Sequence, residues 1–94
     1  MMVLNNEMRK LREGLDAAGI KWYDKSEYCL GIEFQRTHFT NRQGADCSVI
    51  YAPGISYGWQ GEKLECMPPL HRDDEYDDDV QGWLTADEIL AAWV

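Results

Sequence analysis

A chain of 94 residues with 12% aromatic side chains and a formal net charge of −8 is sized for one folded domain with a modest core. Nine Lys and Arg against seventeen Asp and Glu argue against direct nucleic-acid binding, which needs clustered cations to meet phosphates. No apolar run is long enough to span a bilayer and no charged-then-apolar leader opens the chain, so the sequence reads as a cytoplasmic protein without a membrane partner.

The first element reads as an amphipathic helix over residues 5–18. Leu4, Met8, Leu11, Leu15 and Ala18 fall on one stripe, Asn5 or Asn6 can cap its start, and Gly19 stands where a left-handed C-cap belongs. Glu7, Arg9, Lys10, Arg12 and Glu13 are expected to form its solvated outer face. Ile20 to Tyr23 reads as a short first strand. Tyr28, Leu30, Ile32 and Phe34 alternate with Cys29, Gly31, Glu33 and Gln35, which reads as a single longer strand. A turn around Asn41 to Gly44 leads to the apolar strand Cys47 to Ala52, expected at the sheet centre. Pro53 to Gly61 is a turn-rich loop, and Glu62 to Met67 alternates again before Pro68 and Pro69 end it. Thr85 and Glu88 form a capping box for a last helix, with Leu84 and Ile89 at the staple positions and Ile89, Leu90 and Trp93 turned to the core. The expected fold is a single α+β domain over residues 1–94. It has an N-terminal helix, a three- to four-stranded antiparallel sheet and a C-terminal helix, with both helices on one sheet face. Cys29, Cys47 and Cys66 are odd in number, lack CxxC spacing and fall in strands, so they are expected as reduced, mostly buried thiols.

The charge is placed unevenly. All of the excess negative charge lies after residue 72, and six of the seven residues from Asp73 to Asp79 are acidic. Closely spaced carboxylates can imitate the phosphates of nucleic acid and steer association with a basic protein surface. Asp73, Asp74, Glu75, Tyr76, Asp77, Asp78, Asp79 and Trp83 are therefore the candidate partner-binding residues, with Tyr76, Trp83 and Trp59 as aromatic anchors. The partner expected is a host protein with a basic surface. In size and charge the chain is analogous to phage-encoded inhibitors of bacterial defence such as anti-CRISPR proteins. The alternative for the same run is a solvated loop that only keeps the protein soluble.

Two other readings belong to different classes. Gly54, Ser56, Tyr57, Gly58 and Trp59 could sequester a small molecule such as a nucleotide, with Arg36, Arg42 and Lys63 as phosphate partners. This loop is neither a P-loop nor a dinucleotide fingerprint, and turn geometry accounts for its glycines as well. Residues 77–88 can also be laid on a calcium-binding EF-hand loop, with Asp77, Asp79, Gln81 and Glu88 as ligands and Gly82 at the sharp turn. Against this, Gln81 and Val80 depart from the pattern, no entering helix precedes it, and the capping box already explains Gly82 to Glu88. His38 and His71 lack a nucleophile partner and the acid run lacks a pocket, so no catalytic residue is assigned, the chain reads as a non-enzyme, and no cofactor is required. A homodimer would add burial to so small a core.

The segment SVIYAPGISYGWQGEKLECM followed by GWLTADEIL resembles small accessory proteins carried by Gram-positive bacteria and their phages, over about residues 47–90. The resemblance rests on an SVI strand, an SYG loop, an L-E-x-M strand and a GWLTA-type terminal helix. It implies a mobile-element accessory role, brings no assigned chemistry, and implies that the GWLTA segment starts a helix without a preceding set of calcium ligands.

Overall fold

The computed structural model describes residues 3–70 and 80–94. Its element order is α1 (Asn6–Ala17), β1 (Trp22–Asp24), β2 (Glu27–Cys29), β3 (Ile32–Thr40), β4 (Asp46–Tyr51), β5 (Leu64–Met67), β6 (Gln81–Leu84) and α2 (Ala86–Trp93). This is the expected α+β arrangement with a helix near each end, but the antiparallel sheet has six strands rather than three or four.

Both helices end as their sequences direct. The Asn5 side chain accepts from the Met8 N–H at 3.0 Å, and Met8, Leu11 and Leu15 are buried along one stripe. At the other end Gly19 takes φ 74, and bonds from Gly19 N to Asp16 O (3.1 Å) and from Ile20 N to Leu15 O (2.9 Å) close a Schellman motif. In α2 the Thr85 hydroxyl accepts from Glu88 N at 3.2 Å while Glu88 Oε1 accepts from Thr85 N at 3.1 Å, so the capping box is complete.

The sheet runs β1-β3-β4-β5-β6, with β2 pairing the first half of β3 and β1 its second half. Two features account for the extra strands. The run Tyr28 to Gln35 is not one strand: Leu30 (φ 52) and Gly31 (φ 79) form a two-residue hairpin turn with both φ values positive, which sends β3 back along β2. Gln81 to Leu84, where no strand was expected, is an edge strand that pairs with β5 across a register shift.

Alternation fixes the two faces. Thr37, Phe39, Val49, Leu64, Cys66 and Leu84 point to the helices and join Met8, Leu11, Leu15, Ala86 and Ile89 in the core. Phe34, Arg36, His38, Ser48, Ile50, Glu65 and Met67 occupy alternate positions on the face that neither helix covers. The helices meet at Gly14, where an added Cβ would overlap Leu90 and lie 2.9 Å from its Cδ2.

Three expectations need correction. Arg12 is not a solvated outer residue of α1. Its guanidinium donates to Thr37 Oγ1 (2.8 Å) and Asp24 Oδ1 (3.2 Å) and stacks 4.7 Å from the Trp22 ring centroid, tying α1 to β1 and β3. Glu7 likewise reaches α2, accepting from Ala86 N at 2.9 Å. Cys47 and Cys66 are buried, but Cys29 is exposed because β2 is a short edge segment. Among the described residues no helix is long and apolar enough to cross a membrane.

Candidate functional site

The connection between β4 and β5 folds back over the uncovered face and packs on β6. It is closed at its root by Ser56, whose hydroxyl accepts from Ala52 N (2.9 Å) and donates to Ala52 O (3.2 Å). Gly58, at φ 98, then turns the chain into a 3-10 turn over Trp59–Gly61. The loop reaches β6 through a bond from Trp83 N to Tyr57 O at 3.3 Å.

Three glycines make this contact sterically feasible. A Cβ on Gly82 would overlap the Tyr57 side chain and sit 2.6 Å from Tyr57 O. One on Gly58 would sit 2.7 Å from Trp83 N, and one on Gly61 would sit 3.1 Å from Trp83 Cζ3. Trp83 itself has φ 61, a left-handed conformation that bulky residues rarely adopt, and the residue is 58% exposed. Tyr57, bonded to it through the backbone, and Ile55 of the same loop are also exposed. Beneath the loop, Glu65 stands opposite Ile50, and burial raises its carboxyl above the ordinary glutamate range, opposed by the Tyr57 N–H that its oxygens accept. The result is an aromatic corner of Tyr57 and Trp83 beside a half-buried carboxyl, at the β6 edge of the open face.

Of the sequence-level candidates, Trp83 lies in this corner. Asp73, Asp74, Glu75, Tyr76, Asp77, Asp78 and Asp79 lie outside the described residues, as does His71. The loop residues Gly54, Ser56, Tyr57, Gly58 and Trp59 are placed together, but their polar groups are engaged in the fold: Ser56 is buried and bonded to Ala52, the Tyr57 backbone bonds Trp83 and Glu65, and Trp59 is half-buried. The three cations named with the loop are not gathered around it. Arg36 pairs with Glu27 at 3.5 Å, and Arg42 sits in the turn at the far end of β4. Lys63 alone adjoins the loop, against Gly58 and Gly61.

The two described residues of the calcium reading are engaged elsewhere, Gln81 Oε1 by Leu70 N at 2.9 Å and Glu88 by the Thr85 cap. Gly82 serves the approach of Tyr57. Among the described residues no group of three His, Cys, Asp or Glu side chains is placed to hold a metal ion. His38 lies on the open face, its imidazole held low by burial and then by Arg36 and Lys25, with Asp46 opposing.

Sequence reasoning missed Glu65 and the β6 strand. The alternation Leu64-Glu65-Cys66 carried the signal for which face Glu65 takes, but the loop that covers it is a tertiary contact. No protein-family model, no curated protein and no solved structure matches the chain.

Proposed function

We propose that the chain is a small protein-binding module that modulates a host protein, of the kind mobile elements use against bacterial defence. It docks through Trp83 and Tyr57, with the Asp73–Asp79 run as the charged part of the contact. The observation that carries this reading is Trp83: a bulky aromatic held at φ 61 and 58% exposed. A residue held in that region costs the fold about 1–3 kcal/mol, and such strain concentrates where a side chain must be presented to a ligand. Exposed Trp and Tyr are the side chains that dominate interface energies. Three residues separate Trp83 from Asp79 in the sequence, so the chain can span at most about 14 Å between their Cα atoms. The apolar anchors supply the slow off-rate, and the carboxylates steer a basic partner and make association salt-dependent.

The test is a plating assay in bacteria that carry a restriction or CRISPR system, with the chain expressed in trans. Wild type is expected to raise phage plating, and Trp83→Ala, shown to be folded by circular dichroism, is expected to return it to the empty-vector level. Conversion of Asp73, Asp74, Asp77 and Asp78 to Asn should give an intermediate result. A folded Trp83→Ala variant as active as wild type, or a wild type without effect on any system, removes this reading.

A further inference from the structure

A separate feature lies where the C-terminal turn of α1, the start of β1 and the turn after β3 meet. There an open cavity of about 330 Å³ is lined by Gly19, Ile20, Lys21, Tyr23, Thr40, Asn41 and Arg42. We propose that it binds the phosphate group of a small phosphomonoester. The site is independent of the Trp83 corner.

The lining holds two cations and no acid, in a chain whose net charge is −8. A phosphomonoester carries about −1.5 to −2 at neutral pH, which matches one Lys and one Arg. Arg42 is brought in by a long contact from its Nη2 to Ala18 O at 3.5 Å, which leaves most of its donors uncommitted. Lys21 Nζ lies 5.4 Å from the Tyr23 ring centroid, on the same wall.

Asn41 gives an independent indication. Its Oδ1 accepts from Gln43 N and Ala45 N, both at 2.9 Å, which fixes the carboxamide and leaves its NH2 with no acceptor among the described residues. The residue is only 9% exposed, and no fully buried side-chain nitrogen or oxygen in the described chain lacks a partner. The Asn41 NH2 therefore meets solvent, and it does so in a residue that lines the cavity. A preset neutral donor in the same lining as a guanidinium-bearing and an ammonium-bearing residue is the donor set an oxyanion requires. Gly19, at φ 74, lets the α1 turn close without a side chain in this space.

Two acids stand close by without being part of the lining: Asp46 accepts from Thr40 Oγ1 at 3.1 Å, and Asp16 accepts from Trp22 Nε1 at 2.8 Å. The volume is at the lower end for small-molecule sites, about 300 Å³, so the organic part must be small. The half-exposed Tyr23 ring offers it an apolar wall.

The experiment is an amide chemical-shift titration of the full chain with inorganic phosphate and with AMP. Saturable shifts are expected at residues 19–23 and 40–44. Lys21→Gln and Arg42→Gln should each weaken binding by about tenfold, the effect of losing one charge-assisted hydrogen bond. Lys25→Gln, a cation outside the cavity, should leave it unchanged. Tighter binding of AMP than of phosphate assigns Tyr23 to the organic group, and equal binding confines recognition to the phosphate; both uphold the proposal. Absence of saturable shifts in those two segments, shifts elsewhere only, or equal binding by the Lys21 and Arg42 variants overturns it.

Discussion

Gly82→Ala tests the packing on which the aromatic corner depends. The added Cβ would overlap Tyr57 and lie 2.6 Å from Tyr57 O and 2.8 Å from Tyr57 C, so the obstacle is backbone and not a flexible side-chain end. Tyr57 cannot yield without loss, because its carbonyl accepts from Trp83 N at 3.3 Å and its N–H donates to Glu65. Overpacking of this kind costs about 1–3 kcal/mol. Release of the loop adds about 1 kcal/mol for the Trp83 bond, while the Glu65 carboxylate regains water. The expected destabilisation is about 2–4 kcal/mol, or a fall of about 10–25 °C in the melting midpoint for a domain of this size. The assay is thermal and urea unfolding followed by circular dichroism, with Gly54→Ala as the comparison. Gly54 has φ 90 and nothing within 4 Å of the point its Cβ would occupy, so its variant should lose only the backbone term of about 1–2 kcal/mol. A Gly82→Ala midpoint equal to or above that of Gly54→Ala would refute the argument that close approach, rather than turn geometry, requires glycine at 82.

Gly14→Ala should destabilise wild type because Leu90 occupies the space a Cβ needs, yet in a Leu90→Ala background it should stabilise by about 1 kcal/mol, the helix-propensity gain over glycine; additive effects in the double-mutant cycle would sink this account of the helix contact. The Glu65 carboxyl is raised by burial, so the folded state holds a proton where the unfolded chain has released it, and its contribution to stability falls as pH rises above the ordinary glutamate value. Glu65→Gln should therefore gain on wild type toward neutral pH and converge with it in acid. Glu7 should behave oppositely: burial opposes its ionisation, but Ala86 N–H, Lys10 and Lys63 together lower its pKa, so its stabilisation is present above the ordinary value and lost as pH falls through the lowered one. Urea midpoints across the acid range check both signs, and parallel curves for the two Gln variants would contradict them. Burial pushes the thiols of Cys47 to about 11 and Cys66 to about 12, while Cys29 is exposed, so a thiol reagent should label one cysteine per native chain and three after unfolding; rapid native labelling of Cys47 or Cys66 would show that the core is not closed over them.

What the sequence disclosed was local. The Asn5 cap, the Gly19 C-cap and the Thr85–Glu88 box are each set by side chains within a few residues of the backbone groups they serve, and all three form as read. The apolar run Cys47 to Ala52 and the alternation over Glu62 to Met67 likewise correspond to β4 and β5. The hairpin at Leu30 and Gly31 escaped because perfect alternation continues through it: a two-residue turn preserves the parity of the pattern, and Leu at its tip is not a turn residue. Arg12 escaped for a different reason. Its place on the polar side of α1 is correct by helical spacing, but a long side chain at the helix margin reaches Thr37 and Asp24 on strands whose positions no helix pattern encodes.

The same distinction explains why Trp83 stands out in the sequence by residue type and not by conformation. Gly82 reads equally well as a turn, a calcium-loop glycine or a helix entry, and each reading uses only its neighbours in the chain. Its use in the fold comes from Tyr57, twenty-five residues earlier, which needs the missing Cβ to reach β6. Gly58 and Gly61 leave room for the Trp83 backbone and ring, respectively. Three glycines around one strained and exposed tryptophan are consistent with a single constraint, the presentation of that side chain from a fixed backbone. Local rules fail together at this corner, and natural sequences tend to violate them where function requires it. That is why the indole at 83, rather than the more conspicuous run of carboxylates before it, is the first residue to remove.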